Sequence, residues 1–214
     1  MRRIIAAFRV SLDGFIAGPD GVNDWVENWE DAFDLMPQID TCVLGGGMYP
    51  GYEQYWTAIL ADPKGSLPFT GKVASHGESK WARFAHKTPH VVLSRTLDKA
   101  TWKTTRIVRD VEEIRKLKQR PGKDIYAIGG PTLVSSLINL GLIDELRLMV
   151  HPLVLGDGKA LFKDVKERHA WEFLRAKPLS SGRLSLTYST EVQPGTRKRP
   201  SIRGMRKQGR KRES

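Results

Sequence analysis

Apolar positions along the chain switch repeatedly between strand-like and helix-like spacing. Ile4–Val10 is a nearly continuous β-rich run that ends before the turn pair Asp13-Gly14. In residues 24–36 the large apolar side chains Trp25, Val26, Trp29, Phe33 and Met36 recur at spacings of mostly three and four, which predicts a helical face stopped by Pro37. A short apolar strand at 41–44 runs into Gly45-Gly46-Gly47, and the aromatic, Pro- and Gly-rich stretch 49–69 reads as short helix and loop. Residues 72–85 form a weaker helical candidate. His90–Leu93 and 106–108 read as strands, 111–118 as a helix, 125–128 as a strand, 133–140 as a helix and Glu145–Val150 as a strand. The segments 171–176 and 183–192 alternate around the turn Ser180-Ser181-Gly182, as a closing antiparallel pair would. Strands that alternate with helices predict an α/β fold with a mostly parallel sheet and an appended C-terminal antiparallel hairpin.

Composition fits one domain: 214 residues with 40% hydrophobic content can bury a substantial core. The single cysteine, Cys42, excludes an internal disulfide and fits a reducing, cytoplasmic setting, and its place in an apolar strand reads as an inert thiol. No apolar run approaches the ~20 residues that a membrane span needs. The net charge of +11 is concentrated at one end. Residues 194–214 hold nine Lys/Arg against Glu213 alone, leaving 26 basic and 23 acidic residues in 1–193. The expected organisation is therefore a domain over 1–193 and a disordered basic tail over 194–214, whose only route to nucleic acid is weak and salt-sensitive.

Three of the strands end in small or polar residues: Leu44 before the triple glycine, Leu93 before Ser94-Arg95-Thr96, and Ile128 before Gly129-Gly130-Pro131-Thr132. Ligands of open α/β sheets bind beyond the carboxyl ends of strands. Glycine lets backbone N–H groups approach a phosphate, and the helix that follows adds partial positive charge. Arg95 supplies a cation suited to the 2′-phosphate of NADPH. The third glycine of G-x-G-x-x-G is missing, and no strand ending in an acid lies about 20 residues on, which disfavours a conventional dinucleotide domain. His86 and His90 stand four apart, but Pro89 prevents the continuous helix a metal pair would need, so no metal site is expected. Neither a G-x-S-x-G elbow nor a GxxxxGK[ST] loop occurs.

The segments AAFRVSLDGFIAGPDGVNDW, CVLGGGMY, HVVLSRTL and DIYAIGGPTLVSSLINLGLIDELRLMVHPLVLGDGKALF, with the closing LSLTY, resemble the dihydrofolate-reductase-like family. The branch they resemble includes the reductase domain of riboflavin biosynthesis. This resemblance implies an eight-stranded, mostly parallel sheet flanked by helices, NADPH across the carboxyl ends, and a homodimer. By motif match, Ala7, Ile16, Ala17 and Gly21 would lie near the nicotinamide. Gly45, Gly46, Gly47 and Met48 would hold adenosine-side phosphates, and Ser94 with Arg95 the 2′-phosphate. Gly129, Gly130, Thr132 and Leu133 would approach the pyrophosphate and nicotinamide. The family's usual Gly-Arg-x-Thr loop is replaced here by Gly45-Gly46-Gly47-Met48, without the arginine or the hydroxyl.

The implied reaction is hydride transfer to a small heterocyclic or carbonyl substrate, with 5-amino-6-(5-phosphoribosylamino)uracil reduction as the best-known case. A carboxylate could supply the accompanying proton. Asp31 is the first candidate and Asp24 the second, with Trp25 as a pocket-lining residue. No acid falls at the position that would grip a pteridine, which argues against dihydrofolate as substrate. The alternative is a non-catalytic nucleotide-binding protein whose basic arm meets nucleic acid or an acidic partner.

Overall fold

The computed structural model describes residues 1–26 and 33–190. Eight strands form one sheet: β1 (Ile4–Val10), β2 (Ile39–Gly45), β3 (His90–Leu93), β4 (Thr105–Val108), β5 (Asp124–Gly129), β6 (Glu145–Val150), β7 (Glu172–Pro178) and β8 (Leu184–Ser189). Their order is β4-β3-β2-β5-β1-β6-β8-β7. The first six pair in parallel, and β8 runs antiparallel to both β6 and β7. The architecture expected from the sequence is thus the one found.

The helices are α1 (Tyr49–Ala61), α2 (His76–Lys87), α3 (Glu112–Gln119) and α4 (Pro131–Asn139). Side chains of β1 alternate between two cores. Ile4, Ala6, Phe8 and Val10 join the α3/α4 side, whereas Ile5 and Ala7 join the α1/α2 side. A strand buried on both faces reads as an unbroken apolar run, which explains why β1 and β5 were legible without alternation.

Two helical expectations change. Residues 49–69 were read as short helix and loop, yet α1 runs for thirteen residues. Pro50 occupies its first turn, where the missing N–H costs little, and Tyr49, Tyr52, Trp56 and Ile59 bury one face. The helix predicted over 24–36 does not reach its described ends. Residues 24 and 25 form a turn, and Asp34 has φ of +53°, which breaks a right-handed helix before Met36. Trp29 and Asp31 lie outside the described residues, as does the 194–214 tail.

α2 starts later than its apolar pattern, at His76, because Ser75 and Glu78 form a capping box. The Ser75 hydroxyl accepts from the Glu78 N–H at 3.2 Å, and the Ser75 N–H donates to Glu78 Oε2 at 2.7 Å. Among the described residues no helix is long and apolar enough to cross a membrane.

Candidate active site

The parallel order β2-β5-β1 places three carboxyl ends side by side, and a cleft of about 630 Å³ opens over them. Leu44 stands opposite Gly129 in the β2–β5 register. A Cβ on Gly45 would meet Leu133 Cβ at 3.6 Å and Gly130 N at 3.9 Å, so the two glycine ends converge on one floor. Above that floor two helices begin, α1 after Met48 and α4 after Gly130, and neither has an acid in its first turn. Their N-terminal partial charges therefore face the cleft without an internal counter-charge. Around Gly130 a Cβ would find nothing within 4 Å.

Ala7, Ile16, Ala17 and Gly21 line this cleft, as do Gly45, Gly47 and Met48, and Gly130, Thr132 and Leu133. The loop carrying Ile16 and Ala17 is pinned by its partner segment: Ile16 N–H donates to Lys159 O, and Lys159 N–H to Ala17 O, both at 2.9 Å. Gly158 makes this possible. Its φ is +144°, and a Cβ there would lie 2.2 Å from Ala17 O.

Four expected cofactor residues stand apart from the lining. Gly129 (φ +132°) packs against Phe8 and Met48, and its peptide bond to Gly130 is cis. Gly46 abuts Ser94, where a Cβ would fall 2.2 Å from the hydroxyl oxygen, so it serves the contact between the loops after β2 and β3. The Ser94 hydroxyl accepts from the Leu97 N–H at 2.9 Å, and Arg109 braces the same loop by donating to Ser94 O at 2.7 Å and Leu97 O at 2.8 Å. Arg95 is exposed beside it.

Asp24 and Trp25 turn away from the cleft. Both border a separate recess of about 380 Å³ with Pro19, Val22 and Leu155, and the Trp25 ring packs edge-on to His151 with centroids 4.7 Å apart. Their sequence neighbours Asn23 and Val26 are the ones that face the cleft.

The structure adds residues that sequence reasoning missed. Tyr52 and Trp56 from α1, Trp81 from α2 and Tyr126 from β5 form an aromatic wall. The Tyr52 hydroxyl accepts from Trp81 Nε1 at 3.3 Å and lies 3.3 Å from His90 Nε2. His90 Nδ1 sits 2.7 Å from Thr88 O, an acceptor, so the ring proton is on Nδ1 and Nε2 accepts from Tyr52. Burial pushes the His90 pKa down to about 4 and the Tyr52 hydroxyl well up, so both are neutral near pH 7. Burial likewise pushes the Cys42 thiol up, which makes it inert.

Two cations complete the lining: Arg9, whose guanidinium lies 5.9 Å from the Phe33 ring centroid, and Lys159 beside Gly21. Among the described lining residues there is no Asp or Glu. A charged residue interrupting the apolar run of β1 was the available sign for Arg9. For the aromatics, the density of Trp and Tyr after residue 48 was the sign.

A bare glycine floor, two uncompensated helix N-termini and an acid-free lining suit a dinucleotide diphosphate. A family model described as the RibD C-terminal domain matches residues 2–185. The uncharacterized protein YyaP of Bacillus subtilis is 39% identical over 190 residues, spanning 87% of this chain and 94% of its own length. The Thermotoga maritima diaminohydroxyphosphoribosylaminopyrimidine deaminase/5-amino-6-(5-phosphoribosylamino)uracil reductase superposes with a TM-score of 0.58 at 17% identity, covering 88% of this chain and 56% of that one. An Enterococcus faecalis dihydrofolate reductase complexed with NADP(H) superposes with a TM-score of 0.55 at 16% identity, covering 87% of this chain and 95% of that one. The fold is dihydrofolate-reductase-like, and the chain belongs to the RibD C-terminal domain family.

Proposed function

We propose, with that membership as the premise, that this chain is an NADPH-dependent reductase of a small anionic heterocyclic or carbonyl acceptor, working in the cytoplasm. The observation that carries the reading is the cleft where the glycine ends of β2 and β5 meet beside β1. The dinucleotide, when bound, supplies the hydride. Gly45, Gly47 and Gly130 would leave room for its phosphates, with the starts of α1 and α4 opposing the charge, and exposed Arg95 would meet a 2′-phosphate. Ala7, Ile16 and Ala17 would flank the nicotinamide.

The acceptor would lie against Tyr52, Trp56, Trp81 and Tyr126, a wall that keeps water from the reacting atoms. Arg9 and Lys159 would hold its anionic group, which a phosphorylated ribosylamino-pyrimidine of the riboflavin pathway carries. For the accompanying proton Asp31, outside the described residues, is the carboxylate put forward, whereas Asp24 borders the separate recess.

The test is a titration of the full chain with NADPH and NADH, read through tryptophan fluorescence, on wild type and two variants. Gly130→Asp places a carboxylate at the α4 N-cap, a position where Asp is favourable for the helix and where the backbone (φ −70°) suits any residue. At ~4 Å in an effective dielectric of ~20, that charge opposes a phosphate by about 4 kcal/mol, so NADPH affinity should fall at least ~100-fold while the melting temperature holds. Arg95→Ala should weaken NADPH about tenfold and leave NADH unchanged. No saturable response to either nucleotide, or undiminished binding by Gly130→Asp, would overturn the proposal.

A further inference from the structure

The six parallel strands start at the end of the sheet opposite the cleft, and exposed cations stand in a row there. Lys103 precedes β4, Lys87 ends α2 just before β3, Arg120 closes α3, and Lys123 directly precedes β5. All four are exposed, and none makes an ion pair among the described residues. Several acids beside them are already taken. Asp40 pairs with Arg2 and also accepts the Lys123 N–H at 2.8 Å. Asp124 accepts from Arg3 Nε at 3.0 Å, Asp144 holds Lys118 at 2.6 Å, and Glu145 holds Arg147 at 2.6 Å. Asp34 before β2 and Glu172 at the start of β7 form no ion pair among the described residues, so the positive balance of the body here is modest. The C-terminal strand adds to it. β8 runs the other way and finishes at this same end: Ser189 stands opposite Glu145, and the Thr190 N–H donates to Asp144 O at 3.0 Å. The chain therefore leaves the sheet on the side away from the cleft, followed by a segment, 194–214, in which nine Lys/Arg oppose Glu213.

We propose that this row and the C-terminal segment together bind the phosphate backbone of duplex nucleic acid, without reading its sequence. From β4 to β8 the sheet order crosses seven strands, and at ~4.8 Å per step that is roughly 29 Å, the length of about eight base-pair steps. A duplex carries one charge per ~1.7 Å, the density that rewards a run of cations most. Six of the nine cations in the segment are Arg197, Arg199, Arg203, Arg206, Arg210 and Arg212, whose planar guanidinium forks suit phosphate oxygens. Residues 191–214 contain no Phe, Tyr or Trp, so they offer unstacked bases no platform, which favours a duplex over a single strand. A membrane surface suits the segment less well. Ile202 and Met205 are the only large apolar residues of 194–214, and Pro200, Gly204 and Gly209 oppose the amphipathic helix that would insert them. Because the cleft lies at the opposite end, this contact leaves its mouth open.

Fluorescence anisotropy of a labelled DNA duplex of about 20 base pairs, titrated with the full chain from about 50 to 200 mM salt, tests this. With the six arginines and about three body cations each neutralising a phosphate, the slope of log K against log salt should be about −8. Changing all six arginines to Gln should reduce it to about −3, and the body variant Lys87→Gln/Lys103→Gln/Arg120→Gln/Lys123→Gln to about −5, with unchanged circular dichroism spectra. Lys123 Nζ donates to Pro37 O at 2.9 Å, so if the body variant fails to fold, the version that keeps Lys123 decides. Gly130→Asp, in the cleft, should bind the duplex as wild type does. The proposal is overturned by a wild type that leaves the duplex free at ~50 mM salt, by a folded variant of either set that keeps the wild-type slope, or by weakened binding in Gly130→Asp. Equally tight binding, at matched charge, to poly-L-glutamate or to vesicles of equal parts phosphatidylserine and phosphatidylcholine also overturns it.

Discussion

Replacing Arg147 with methionine removes one charge from a network buried below the cleft. Arg147 and Glu145 are 5% and 4% exposed. The guanidinium donates to Glu145 Oε1 at 2.6 Å, to Phe33 O at 2.6 Å and to Gln38 Oε1 at 2.8 Å, tying β6 to the turn at residues 33–38. Removing one member of a buried pair costs about 3–5 kcal/mol, because the other charge is left uncompensated. Here Glu145 Oε2 keeps a bond of 2.7 Å from Arg3, whose side chain is 46% exposed. That contact places Arg147→Met at the lower end, near 3 kcal/mol. Glu145→Gln leaves Arg147 its two carbonyl acceptors and should cost about 2 kcal/mol. The double variant should lose about 3 kcal/mol rather than 5, a coupling near 2 kcal/mol. With a slope of about 2 kcal/mol/M, urea unfolding of Arg147→Met should have its midpoint about 1.5 M lower. If the single losses add within about 0.5 kcal/mol, the two residues do not act as a buried pair and the reasoning fails.

His90 predicts a pH dependence of stability. Its folded pKa is near 4 and its unfolded value near 6.5, so between these the unfolded chain binds the additional proton. Stability should be full above pH 6.5 and fall by about 3 kcal/mol as the pH drops to 4, and His90→Gln should flatten urea midpoints across that window. Gly46→Ala would put its Cβ 2.2 Å from Ser94 Oγ and 2.4 Å from Ser94 Cβ. It should cost about 1–3 kcal/mol, with partial recovery in Gly46→Ala/Ser94→Gly, and full stability of the single variant in a thermal melt would refute the contact.

The local elements were legible because short-range physics fixes them. β1, β3 and β6 begin and end where the sequence reading put them, because runs rich in Ile, Val and Leu mark buried strands even where Arg9, His90, Glu145 and Arg147 stand among them. The sequence signs for the glycine ends of β2 and β5 were also local: backbone without side chains, immediately before a helix. Where two local signals competed, reading along the chain failed. Pro50 and Gly51 masked α1, and the apolar spacing of 24–36 concealed the left-handed Asp34.

Which residues share a site was a different matter. Arg9 and Lys159 are 150 positions apart yet line one cleft, Lys159 on the segment hydrogen-bonded to Ile16 and Ala17, while Tyr52, Trp81 and Tyr126 arrive on three separate elements. The turn of the backbone between Asn23 and Val26 sends Asp24 and Trp25 into another recess, a choice no spacing rule encodes. Strand identity, helix caps and bare-backbone ends are written in neighbouring residues, so the sequence by itself determined them. Sheet order, the pairing of distant cations with aromatics and the row of cations across the strand starts depend on contacts between residues far apart in the chain, and only the folded structure decided those.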